Sequence, residues 1–180
     1  AASLDISARV IGSPATHLTT VTNTLTVATT GGGIYVDNAS AALTIVSATA
    51  VGPNGDLLIT NTGNIVLGTV AGFGITAAGD DVTLTAGAGM TITDANDTAP
   101  GANDVVNITA ATLNITATGG IGTALDPIEI DVDSVVATGT AFLVNAGDLS
   151  LDVAALQGSG VYQAGSITIQ PLGGTVTVGL

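Results

Sequence analysis

A three-residue pattern, apolar–polar–apolar, recurs along this chain and is closed each time by Gly, Asn, Asp or Ala-Gly. Early instances are Leu4-Asp5-Ile6, Leu25-Thr26-Val27, Ile34-Tyr35-Val36, Leu43-Thr44-Ile45, Ile65-Val66-Leu67, Phe73-Gly74-Ile75, Val82-Thr83-Leu84 and Met90-Thr91-Ile92. Leu113-Asn114-Ile115, Ile128-Glu129-Ile130, Leu149-Ser150-Leu151, Ile167-Thr168-Ile169 and Val176-Thr177-Val178 continue it. Alternation places the outer two side chains of each triplet on one face and the middle one on the other, which predicts short strands. No segment shows apolar spacing of three and four between caps, so almost no helix is expected.

The triplets fall every eight or nine residues over long stretches. A sandwich domain uses about seven strands of about five to six residues, fewer and longer than this beat supplies. Short, evenly spaced strands suit a coil in which each strand forms one side of a rung and a small turn makes the corner. The fold expected is therefore all-β, a right-handed parallel β-helix (β-solenoid). Three strands per rung need about 22 to 30 residues per turn, and a two-sided coil of about 16 to 18 fits the same spacing. The alternative is a pair of tandem immunoglobulin-like β-sandwiches, whose length of about 100 residues matches the longer period described next.

That longer period lies near 110 residues. AASLDISA (Ala1 to Ala8) returns as AATLNITA (Ala110 to Ala117), with five of eight positions identical and the others Ser/Thr or Asp/Asn exchanges. Ile11-Gly12 returns as Ile121-Gly122, and Gly55 to Thr60 as Gly165 to Gln170. The chain reads as one repeat, residues 1–109, and a partial second, 110–180, continuous with the first. Tandem arrays build extended scaffolds more often than active sites.

Composition sharpens this picture. There is no Trp, and only Phe73, Phe142, Tyr35 and Tyr162 carry other large rings, so the interior must be aliphatic. Fourteen acidic residues face the single Arg9, a formal net charge of −13. Such a surface repels nucleic acid and anionic membranes, keeps a β-protein soluble and blocks unwanted edge pairing. No apolar run is long enough to span a bilayer, so membrane insertion is not expected. Cysteine is absent and sets no redox compartment.

The stretches Gly55 to Gly68 (GDLLITNTGNIVLG), Gly79 to Asp94 (GDDVTLTAGAGMTITD), Ala110 to Val132 and Phe142 to Val153 are written alike, with Gly-Asn or Gly-Asp corners followed by a short aliphatic strand. In this they resemble the repeat regions of large secreted bacterial surface proteins of the filamentous haemagglutinin and autotransporter-adhesin type. The resemblance implies export, an extended β-helical shape and exposure at the cell surface, in a fibre, sheath, stalk or adhesin. It carries over no functional residue.

Candidate chemistry is sparse. Enzymes on β-helices align carboxylates with basic residues, but Asp80 and Asp81 are sequence neighbours that should point to opposite faces, and only Arg9 and His17 could supply a cation. His17 has no second His or Cys and reads as a surface or loop side chain. Gly31-Gly32-Gly33 lacks the Lys and helix of a phosphate loop and reads as a corner. An enzyme is not expected. Calcium is the small-ligand candidate: Asp94, Asn96, Asp97, Asn103 and Asp104 gather hard oxygen donors in one polar insertion. Asp126, Glu129, Asp131 and Asp133 form a second acidic set that would need a register change to share a face. Thr-x-Thr triplets at Thr24, Thr83, Thr91 and Thr175 could order ice only if stacked in register, and their spacing is irregular. The function expected is a structural component of an extracellular bacterial fibre, sheath or stalk that associates end to end; the alternative is a surface adhesin binding glycans or other cells.

Overall fold

A computed structural model describes residues 2–68, 74–95, 105–147, 149–152, 160–163 and 167–170. These residues contain strands and no helix. In chain order the strands are β1 (Ser3–Ala8), β2 (Leu18–Thr20), β3 (Thr24–Thr29), β4 (Ile34–Asn38), β5 (Ala42–Thr49), β6 (Leu57–Asn61), β7 (Asn64–Leu67) and β8 (Ile75–Ala86). They continue with β9 (Thr91–Asp94), β10 (Ile108–Thr116), β11 (Gly120–Ile121), β12 (Ile128–Thr138), β13 (Ala141–Asn145), β14 (Leu149–Asp152), β15 (Gly160–Gln163) and β16 (Ile167–Gln170).

Every pairing between these strands is parallel, and consecutive strands are mostly not neighbours. β1 pairs β3, β3 pairs β5 and β5 pairs β7, while β2, β4, β6 and β8 form a matching series. Two links join the series. β12 pairs β13 through Ile128↔Leu143, and β5 pairs β8 through Ala48↔Ile75 and Thr49↔Thr76.

This pairing corrects both expectations of the fold. The hydrogen-bonded path β5-β7-β9-β11-β13-β12-β10-β8 returns to β5, so eight parallel strands form a closed ring and the remaining strands lie outside it. The right-handed parallel β-helix, or β-solenoid, expected as separate sides of short strands is replaced by this closed arrangement. Tandem immunoglobulin-like sandwiches are excluded because they need antiparallel layers. The physical reason lies in strand length. β8 and β12 are 12 and 11 residues long and run straight through positions that read as corners, Gly79-Asp80-Asp81 and Asp131-Val132-Asp133. The first half of β12 bonds β13 and its second half bonds β14, so one strand ties different neighbours into one sheet.

The interior is aliphatic, as the composition requires. Register stacks Ile34, Leu57, Val82, Leu113 and Val135 in one row and Val36, Ile59, Leu84, Ile115 and Ala137 in the next. Leu43, Ile65, Ile92, Ile121 and Ala141 form another. All of these are buried, and they belong to one continuous cluster without a large ring. A fully buried Leu, Ile or Val contributes about 1.5–3 kcal/mol, so these rows supply most of the drive to fold. Strands sit about 4.8 Å apart, which lets similar aliphatic residues nest without rings to fill a wide centre.

The sequence repeat has a local structural counterpart. Gly12 and Gly122 both have positive φ, 69° and 58°, and both open a turn closed by a reciprocal backbone pair. Ser13 and Thr16 exchange N–H and C=O in the first turn, Thr123 and Asp126 in the second. A side chain at Gly12 would meet the Tyr35 carbonyl, and one at Gly122 the Phe142 carbonyl, so the neighbouring strand approaches in the same way twice.

Ile59 is fully buried between Val36 and Leu84. Ile59→Ala should lower unfolding free energy by about 2–5 kcal/mol. Leu125→Ala, at a side chain 78% exposed, should change it by no more than about 0.5 kcal/mol. Denaturant midpoints compare the two; equal effects would contradict the assigned interior.

Candidate functional site

The most developed polar arrangement of side chains lies where β2, β4 and β6 run side by side. Register sets Thr19, Asp37, Thr60, Thr85, Thr116 and Thr138 in one outward row across six strands. The residues at the middle of the same triplets, Tyr35, Leu58, Thr83, Asn114 and Val136, form the row beside it. Asp37 stands at the head of a line of threonine hydroxyls and accepts a 2.7 Å hydrogen bond from Thr60 Oγ1 at its Oδ1.

His17 closes this arrangement from the turn before β2. Its Nδ1 lies 3.0 Å from Asp37 Oδ2. An ionised carboxylate only accepts, so Nδ1 carries the proton and Nε2 is the acceptor nitrogen of the neutral ring. The imidazole stacks on Tyr35, with ring centroids 6.0 Å apart and planes inclined by 25°. Hydrogen bonds from His17 first, and then from Thr60, hold the Asp37 carboxyl below the ordinary aspartate range, against partial desolvation.

Tyr35 departs from the alternation that predicted it outside. Gly33, the end of Gly31-Gly32-Gly33, makes this possible: a Cβ there would lie 2.7 Å from the Tyr35 ring and 2.6 Å from the Asp56 carbonyl. Burial, then the negative charges of Asp56 and Asp80, push the Tyr35 phenol above its ordinary value. Its neutral form therefore supports folding at all pH values below the ordinary phenol range, and that support is lost as pH rises through the raised value.

At the inner edge of this region asparagine amides stand in for missing strand. Asn38 Oδ1 accepts from Thr20 Oγ1 at 2.7 Å and from the Thr22 N–H at 2.9 Å. Its Nδ2 donates to the Thr22 carbonyl, to Ser40 Oγ and to Asn61 Oδ1, at 3.0, 2.9 and 2.9 Å. Asn145, at the same place at the end of β13, bonds both backbone groups of Val132. Corner asparagines thus satisfy buried peptide groups where the ladder is interrupted.

Chemically, the His17–Asp37 pair has the orientation half of a catalytic relay without the rest. The hydroxyl of Thr60 bonds the carboxylate, whereas a nucleophile would have to bond the imidazole. Asp80 and Asp81 do not form a working pair. Asp81 is exposed and donates its N–H to Asp56 Oδ1 at 3.4 Å, while Asp80 lies against Gly55. Arg9 packs its side chain over Gly31, away from both.

The calcium candidates are only partly visible. Asp94 ends β9, buried, in register with Leu67; Asn96, Asp97, Asn103 and Asp104 lie outside the described residues. Among the described residues no three His, Asp or Glu side chains converge as a metal site. The second acidic set is split: Asp131 and Asp133 face outward, Asp126 belongs to its turn, and Glu129 points inward. Glu129 is buried and lines a cavity of about 130 Å³ with Val106, Ile130, Val144 and Ala146. Of the Thr-x-Thr candidates, Thr83 and Thr85 alone contribute to the two adjacent outward rows; Thr24 and Thr91 belong to other strands, and Thr175 is outside the described residues. The threonine row itself has no signature in the sequence, because its members come from separations of 22 to 31 residues.

Among known proteins, no protein-family model, no curated protein and no solved structure matches the chain.

Two outcomes check this geometry. Asn38→Ala orphans the buried Thr22 peptide and Asn61 amide, and should cost about 1–3 kcal/mol for each group left unpaired, read from the denaturation midpoint. Asp37 has a lowered pKa, so its contribution to stability is fully present above the ordinary aspartate range and is lost as pH falls through the lowered value. His17→Ala should move the Asp37 carboxyl titration, followed by carbon NMR, upward towards the ordinary range; an unmoved midpoint would remove His17 as its main cause.

Proposed function

We propose that this chain is a structural component of an extracellular bacterial fibre, sheath or stalk. The observation that carries the reading is where its bonding capacity lies. The extensive polar resource is backbone, arranged as parallel ladders that leave open strand edges at β1 and β2 and, among the described residues, at β15 and β16. The side chains supply an aliphatic interior, amides that complete the backbone bonding and an outward row of hydroxyls. That division of labour suits a load-bearing unit that gains from addition of further strands. The resemblance of its corners and short strands to those of large secreted surface proteins supports the same reading, as does the acidic exterior, which keeps such a unit soluble until it assembles.

A second reading, a surface adhesin for glycans, is favoured by one observation: the row from Thr60 to Thr138 beside Asp37 and His17. Stacked hydroxyls at about 4.8 Å match polar sugar surfaces, though Tyr35 is buried and gives no open stacking platform.

Immunogold labelling of producing cells with an antibody to this chain should decorate extended material outside the cell, and label confined to the cytoplasm would defeat the proposal. A glycan array probed with the purified chain should stay at background. Saturable binding abolished by Thr85→Val with the fold intact would replace the fibre by the adhesin.

A further inference from the structure

The first edge of the sheet is built to receive another strand. The carbonyls of Ala2 and Ala8 accept from Asn23, Thr24 and Thr30 on the β3 side. Peptide groups alternate along a strand, so those of Ser3, Asp5 and Ser7 point away from β3, where β1 has no neighbour. In β2 the Thr20 carbonyl accepts from Ala39 towards β4, which turns Thr19 outward in the same way. The apolar row behind this edge is uncovered as well. Leu4, Ile6 and Leu18 pack on the core but remain part-exposed, whereas Leu25, Val27 and Val36, one strand inward, are 0–1% exposed. At the other extreme of the pairing path β15 and β16 have one neighbour each among the described residues, and they run parallel to β1 and β2 through an unbroken series of parallel pairs.

Resting on the fibre reading, we propose that β1 and β2 form a head-to-tail joint, and that its occupant is the β15–β16 edge of a second copy of this chain. Two edges at opposite extremes of one parallel ladder share a strand direction, so one copy continues the ladder of the next without reversal. The contact is heterologous, joining two different surfaces, and repeats into an open filament instead of closing into a dimer. Covering Leu4, Ile6 and Leu18 gives the added strand an apolar row to bury, and the outward groups of Ser3, Asp5 and Ser7 give it parallel hydrogen bonds. The charge of −13 per copy opposes approach, so salt promotes the joint.

The 180-residue chain is followed by sedimentation velocity and negative-stain microscopy in low salt and in 1 M salt, where the screening length is about 3 Å. Linear polymers that lengthen with concentration and salt are expected. Asp5→Pro removes one outward N–H at an edge position and should raise the concentration needed for assembly at least tenfold, while Asp5→Ala, which keeps the N–H, assembles like the parent. Hydrogen exchange on the unaltered chain reads the same contact independently: the Asp5 and Ser7 amides should exchange freely in monomers and become protected in polymers. A chain that stays monomeric throughout overturns the joint, and surface labelling then decides the fibre reading by itself. Polymers in which the Asp5 and Ser7 amides stay unprotected overturn the joint and leave the fibre reading standing.

Discussion

Parallel backbone pairing between segments far apart in sequence is the constraint on which the rest of this structure depends. A parallel strand cannot bond the strand just before it through a tight turn; the chain must travel before it returns in the same direction. Here the return takes from 15 residues, between Ile128 and Leu143, to 33, between Ile75 and Ile108. Each excursion must come back in register, or a slip of one residue would turn every inward aliphatic side chain outward. Register is held because each strand is clamped on two sides, and the aliphatic rows reward one alignment only. Edges are where this clamping stops, which is why β1 and β2 have part-exposed apolar residues and the interior strands do not.

The need to return in register also explains the polar side chains. Where a strand ends, the ladder leaves peptide groups unbonded, and at those places the chain carries asparagine. Asn38 and Asn145 each bond the N–H and the C=O of one residue, as a strand neighbour would. Asn61 extends the first arrangement by accepting from the Ser40 N–H and donating to the Asn64 carbonyl. Glycine serves the same end differently, letting a backbone pass where a side chain would strike it, as at Gly33 beneath Tyr35. Much of what looks like candidate chemistry in the sequence is therefore the completion of backbone bonding.

The triplet pattern makes the local strands legible, and most of its inward positions are buried, among them Leu25, Val27, Leu43, Ile45, Val82 and Leu84. Partner choice is not legible. Nothing local in Ala48 or Thr49 announces that these residues pair Ile75 and Thr76 as well as the β3 strand behind them, yet that contact closes the ring. Nor does the run Gly79-Asp80-Asp81 reveal a strand passing through: a glycine with positive φ and two acidic residues carry every mark of a corner. Tertiary pairing overrides turn chemistry there, and the expected architecture fails at those positions.

The candidate site shows the same division. Alternation places the middle residue of each triplet outside, and it fails at Tyr35 and Glu129, both buried. At Tyr35 the cause is a covering turn that carries His17, whose bond to Asp37 spans 20 residues and rests on the parallel pairing of β2 with β4. A histidine without a second histidine or a cysteine gives no local signal of such a contact, because its partner is chosen by strand register. The threonine row has the same origin: Thr60, Thr85, Thr116 and Thr138 share no spacing, only a column. In a sheet whose neighbours are distant in sequence, surface chemistry is a property of the register, and the register becomes visible only when the ladder is known.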